Sequence, residues 1–120
     1  MRILLMFCFS IVLVVSNKAQ DYVFSKELDS IIKVLKVLPK DTNKVITLNN
    51  LVDQLWKKSH LDSALVYAEK SLDLAIKLNY PTGKGNVLTS IGIINAIKGD
   101  YPKALSSMNE ALSIFLKLND

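Results

Sequence analysis

Shifted back by 40 residues, the chain lies over itself. Thr82 falls on Thr42, Lys84 on Lys44, Leu88 on Leu48 and Lys98 on Lys58. Ala104-Leu105 falls on Ala64-Leu65, Leu112 on Leu72, and Lys117-Leu118-Asn119 on Lys77-Leu78-Asn79. These are ten identities in 40 aligned pairs without a gap, and most other pairs keep polar on polar or apolar on apolar. A period of this length means stacked supersecondary units, each too small to bury its apolar face alone. The fold expected from this is all-α. The apolar stretches recur at three- and four-residue spacing and carry Leu, Ala and Lys, with none of the alternation a strand needs.

The repeat divides the chain. Residues 1–19 read as a secretory signal peptide: Arg2 gives a positive start, Ile3 to Val15 is a 13-residue apolar run, and Ala19 is a small residue before the cut. That run is shorter than the ~20 residues that span a bilayer. Residues 20–40 form an N-terminal packing helix, over Asp21 to Leu38, with Val23, Leu28, Ile31, Ile32, Leu35 and Leu38 as its stripe and Pro39 as its stop. Residues 41–80 and 81–120 are the two repeats. In the first, the Asp41-Thr42-Asn43 segment caps a helix running to about Lys58 with Val45, Leu48, Leu51, Val52 and Leu55 inward. After a turn at Ser59-His60, a partner helix over Leu61 to Leu78 buries Leu61, Ala64, Leu65, Ala68, Leu72, Ala75 and Ile76. In the second, a helix from about Thr82 to Lys98 leads to a Gly99-Asp100 turn, with Asp100 as N-cap. A last helix, Tyr101 to Leu118, then buries Ala104, Leu105, Met108, Ala111, Leu112 and Phe115.

Charge and chemistry narrow the function. Removal of residues 1–19 leaves 13 basic and 11 acidic residues, a net charge of +2, spread without a basic cluster, so nucleic acid is not an expected partner. Cys8 is the only cysteine and lies in the leader, so the mature chain has no thiol for a disulfide, a zinc site or a nucleophile. His60 is the only histidine and reads as a turn residue. Asp62, Glu69, Asp73 and Glu110 sit singly on helix faces, not as an acid/base pair. Thr82-Gly83-Lys84-Gly85 lacks the spacing and preceding strand of a phosphate loop. No catalytic residue, metal ligand or cofactor is expected, and the chain reads as non-enzymatic.

The second unit resembles a tetratricopeptide repeat. Its motif positions fall on Leu88, Ile91-Gly92, Asn95, Gly99-Asp100-Tyr101, Ala104, Met108 and Ala111-Leu112. In the first unit they fall on Leu48, Leu51-Val52, Leu55, Ser59-His60-Leu61, Ala64, Ala68 and Ser71-Leu72. Val52 and Ser59 stand there in place of glycine, and the period of 40 exceeds the usual 34. The resemblance implies an α-solenoid whose structural positions are Ala64, Leu65, Gly92, Gly99, Tyr101, Ala104 and Ala111. It also implies a concave, protein- or peptide-binding face lined by Asn49, Asp53, Trp56, Lys57, Asn86, Thr89 and Ile93. Trp56 is equally suited to anchoring a partner and to packing on the N-terminal helix. The basic residue of a carboxylate clamp is missing where Asn49 and Thr89 stand. The leader, first helix and long repeats are also similar to the exported N-terminal regions of bacterial tetratricopeptide sensor histidine kinases and regulators. This implies a periplasmic or secreted location and a part in signal transduction, with a membrane involved only through a longer anchored protein. Three readings follow: an exported binding scaffold, the sensor portion of such a kinase or regulator, and a helical enzyme or small-ligand-binding domain. Two repeats are few for a free-standing array, so the chain is expected to be part of a longer protein or to form a homodimer.

Overall fold

In the computed structural model the backbone is described from Arg2 to Asn119, and side chains at Val14 and from Asn17 to Asn119. Every regular element among these residues is an α-helix: α1 (Arg2–Val37), α2 (Thr42–Lys57), α3 (Leu61–Lys77), α4 (Pro81–Ile97) and α5 (Tyr101–Leu118). The all-α expectation holds. The chain divides into two compact units, Met1–Lys36 and Val37–Asp120.

The first unit is essentially α1. The helix runs unbroken through Ala19-Gln20, where the sequence places the cut of a leader. No Pro or Gly stands between Arg2 and Val37, so nothing interrupts the backbone hydrogen bonding. The helix ends just before Leu38-Pro39, since proline disfavours a helical residue ahead of it. The Cys8 side chain and most of the apolar run lie outside the described side chains. None of the helices, over the described residues, is long and apolar enough to cross a membrane.

In the second unit α2 packs on α3, α3 on α4, α4 on α5, and α2 also on α4. The division of labour is visible in the side chains. Val45, Leu48, Leu51, Val52 and Leu55 of α2 and Val87, Leu88 and Ile94 of α4 are buried large residues. The buried apolar residues of α3 and α5 are alanines: Ala64, Ala68 and Ala75, then Ala104 and Ala111. Small residues on one helix let the neighbouring backbone approach and let its large side chains fill the gap between the axes.

Helix α4 is the centre. It buries Gly83, Gly85, Val87, Leu88, Ser90, Gly92, Ile94 and Asn95, so it is covered on nearly all sides. Three glycines make this possible. A Cβ at Gly83 would stand 2.5 Å from the Tyr80 ring and 2.7 Å from Val45 Cγ1, and one at Gly85 would stand 2.7 Å from the Phe115 ring. One at Gly92 would stand 2.6 Å from Met108 Cγ and 3.3 Å from the Ala104 carbonyl oxygen, which marks the tight crossing of α4 and α5.

The helix ends repeat every 20 residues. Ser59, Asn79 and Gly99 all take positive φ, at 65°, 49° and 83°. At each, two backbone bonds close the end of the preceding helix. The amides of His60, Tyr80 and Asp100 donate to the carbonyls of Leu55, Ala75 and Asn95, and those of Ser59, Asn79 and Gly99 donate to Trp56, Ile76 and Ala96. This is the Schellman arrangement, which satisfies carbonyls the helix would otherwise leave open. The next helix begins two residues later. Asp41 and Asp100 cap α2 and α5, accepting from the amides of Lys44 (3.2 Å) and Lys103 (3.3 Å). His60 stands at the N-cap position of α3 and makes no side-chain capping bond there.

Several residues expected on apolar faces are not buried. Leu105, Leu112 and Met108 of α5 are exposed, as are Ile76 near the end of α3 and Val23 of α1; Tyr101, expected as a structural position, is exposed too. Leu61, Leu65, Leu72 and Phe115 are half-buried. For the α5 residues the reason is a single covering neighbour: α3 lies against both α2 and α4, whereas α5 has α4 alone; this does not account for Ile76 of α3.

Candidate functional site

The residues expected to line a binding face come from α2 and α4, and the fold keeps them out of the apolar core. On α4, Thr82, Asn86 and Ile97 are exposed, and Thr89 and Ile93, on the same side of the helix, are half-buried. On α2, Asn49, Asp53 and Trp56 are half-buried and Lys57 is exposed. The two surfaces meet at a hydrogen bond of 2.7 Å from Ser90 Oγ of α4 to Asp53 Oδ1 of α2.

Asn49 and Asp53 are engaged within the fold. Asn49 Nδ2 donates to the Gly83 carbonyl at 3.1 Å, and its Oδ1 accepts from the fully buried Ser71 hydroxyl. One side chain thereby ties α2 to α3 and to α4. Asp53 Oδ1 also accepts from Trp56 Nε1 at 3.0 Å. This bond fixes the indole, with the Lys57 ammonium 5.6 Å from the ring centroid, a distance at which the cation and the ring face attract. Thr89 Oγ1 donates back to the Gly85 carbonyl of its own helix at 3.0 Å. Of these residues Lys57 and Asn86 are exposed, and Trp56, Thr89 and Ile93 are half-buried.

Two further residues belong to this surface. Ile46 precedes Asn49 by three positions and is 44% exposed; Ile97 follows Ile93 by four and is 54% exposed. The same-face spacing from Asn49 and from Ile93 is the signal that identifies them in the sequence. Together with Ile93 they add apolar surface to an otherwise polar face.

Elsewhere two ion pairs link helices. Lys84 meets Glu110 at 2.8 Å, linking α4 to α5, and Lys98 meets Asp62 at 2.5 Å, linking α4 to α3. The hydrogen bond from Lys98, with its charge, holds the Asp62 carboxyl below its ordinary range. No grouping of three or more His, Cys, Asp or Glu that could hold a metal occurs among the described residues. Gly83 and Gly85 lie in the first turns of α4 under Tyr80, Val45 and Phe115, so their smallness serves packing. A cavity of about 250 Å³ opens at the α3–α4 turn, lined by residues including Tyr80, Pro81, Lys84 and Ile114. It is smaller than the ~300–1,000 Å³ of typical ligand pockets, and its one charged group, Lys84, is already paired.

No family model matches the chain, and no curated protein is significantly similar to it.

Proposed function

We infer that the chain is an exported, non-enzymatic helical repeat module of the tetratricopeptide type, which binds a protein or peptide along the face shared by α2 and α4. The observation that carries this reading is the junction at Asp53 and Ser90. It sets α2 against α4 on the side where Ile46 and Ile97 are exposed and Trp56 and Ile93 are half-buried. A fixed aromatic with an adjacent cation and scattered aliphatic groups suits an extended or helical peptide segment. Asn49 and Asp53 hold that face in shape, and Trp56, Lys57, Asn86, Thr89 and Ile93 meet the partner. The 40-residue repeat and the left-handed turns at Ser59, Asn79 and Gly99 support the solenoid arrangement. The leader-like residues 1–19 support export.

The test is selection of a displayed peptide library on the full chain, followed by the variants Lys57→Glu and Ile93→Asp, each checked for unchanged helical circular dichroism. Enriched peptides that lose binding to both variants support the reading. Absence of any enrichment, or peptides indifferent to both changes, overturns it. An immunoblot of soluble and membrane fractions from the source cell tests export, through the size and location of the native polypeptide.

A further inference from the structure

Three acidic residues are half-buried among the described side chains: Asp41, Asp53 and Asp100. Two of them are compensated where they stand. Asp41 and Asp100 are the N-caps of α2 and α5, where free amides and the positive end of the helix dipole favour an anion. Asp100 also pairs with Lys103. Asp53 has neither advantage. It lies in the C-terminal half of α2 and makes no ion pair among the described residues. Its two hydrogen bonds, from Ser90 and Trp56, come from neutral donors and both end on Oδ1. Among the described residues Oδ2 accepts no bond. Lys57 follows one helical turn later, the spacing at which opposite charges pair, yet its ammonium lies near the Trp56 ring instead. A carboxylate partly withdrawn from water with no opposite charge beside it is costly to keep.

We propose that Asp53 and Trp56 form a subsite for an arginine side chain of the peptide bound on the face shared by α2 and α4. The assignment rests on that reading of the face and names what the face selects. A guanidinium is planar, donates in a rigid fork to a carboxylate and stacks on an aromatic ring; an ammonium is a compact point charge without that geometry. Both elements of such recognition are present here and are joined to one another. Trp56 spends its one N–H on Asp53 Oδ1 at 3.0 Å, so ring and carboxylate are held as a unit before any partner arrives. Ser90 fixes the same oxygen from α4 and leaves Oδ2 for the guanidinium. Lys57 offers its cation to an acidic neighbour of that arginine, so Lys57→Glu is expected to lose the same peptides.

The probes are the peptides enriched from the displayed library on the full chain. These sequences are expected to share an arginine. With that arginine replaced by citrulline, its neutral isostere, a peptide should bind the wild-type chain about tenfold more weakly or worse. On Asp53→Asn, whose amide oxygen can still accept from Ser90 and Trp56, the arginine and citrulline peptides should bind alike, with helical circular dichroism as the check on folding. Trp56 is the only tryptophan, so its indole N–H is a single NMR signal that reports the location. It should move on addition of the arginine peptide and less with citrulline.

Peptides that lose binding to Lys57→Glu and Ile93→Asp but share no arginine overturn the subsite and leave the binding face standing. So does a citrulline peptide that binds the wild-type chain as tightly as the arginine one. A citrulline loss equally large on Asp53→Asn assigns the arginine to another group and overturns the proposal. An indole signal that the arginine peptide leaves unmoved overturns it without any variant. A library that yields no enriched peptide overturns the face and the subsite together.

Discussion

Gly83 shows how much a missing side chain holds in this fold. Its Cβ would meet the Tyr80 ring and the fully buried Val45, which has no room to move. Overfilling a close-packed site costs about 1–3 kcal/mol, while replacing glycine in a helix returns at most about 1 kcal/mol. Gly83→Ala is therefore expected to destabilise the chain by about 1 kcal/mol or more, read from the midpoint of urea unfolding. An unchanged or raised midpoint would mean that Val45 and Tyr80 yield easily. Asp62 illustrates the opposite extreme, an exposed group whose pairing is electrostatic. Its carboxyl is held low first by the hydrogen bond from Lys98 and then by the charge. A depressed folded-state pKa stabilises above the unfolded value, and that contribution disappears as pH falls through the lowered folded one. At an exposed site it is small and screened by salt. The carboxyl of Asp62 followed by NMR is expected to titrate below its ordinary value, and to return to it in Lys98→Ala.

At the scale of helices, boundaries and one core face were readable and coverage was not. The stripe Val45, Leu48, Leu51, Val52 and Leu55 is buried as the 3.6-residue period predicts, and α5 spans Tyr101–Leu118 as the Asp100 cap and the apolar spacing suggest. Periodicity identifies the apolar side of a helix; it does not report whether a neighbour is there to cover it. Leu105, Met108 and Leu112 were expected inside for that reason and stand outside. The reverse error is invisible in the pattern: Gly83, Gly85, Ser90 and Asn95 are buried on α4 with no apolar signal, because surrounding helices close on small and polar positions. In the candidate site, Asn86, Thr89 and Ile93 came from the resemblance, and of these Asn86 is exposed and the other two half-buried. The internal bonding of Asn49 was not legible, since Ser71 and Gly83 are far from it in sequence. The helix ends add a prediction at this scale. Ser59 takes the left-handed conformation that Gly99 takes at the equivalent turn, and a residue with a Cβ is strained there by roughly 1 kcal/mol. Ser59→Gly is expected to raise stability by about 0.5–1 kcal/mol, seen as a higher melting temperature without a change in helical content.

For the unit Val37–Asp120 as a whole, the question is what joins the α2–α3 hairpin to the α4–α5 hairpin. Apolar packing of α4 on α2 and α3 supplies most of the contact, and Asn49 sits at the point where all three meet. Its removal leaves the Ser71 hydroxyl, fully buried, without its acceptor, and takes from the Gly83 carbonyl the second donor it has besides the helix backbone. Leaving buried polar groups unsatisfied costs about 1–3 kcal/mol. Asn86 is a control of the same residue type on the exposed strip of α4, where substitutions fall within about 0.5 kcal/mol. Urea unfolding should therefore give a markedly lower midpoint for Asn49→Ala and a nearly unchanged one for Asn86→Ala. Because the apolar contacts between the hairpins remain, the Asn49→Ala transition should stay single, with its slope unchanged. Separation into two transitions would mean that the polar tie, and not the packing around α4, makes the four helices fold as one. Equal stability of the two variants would remove Asn49 from the framework and return it to the binding face.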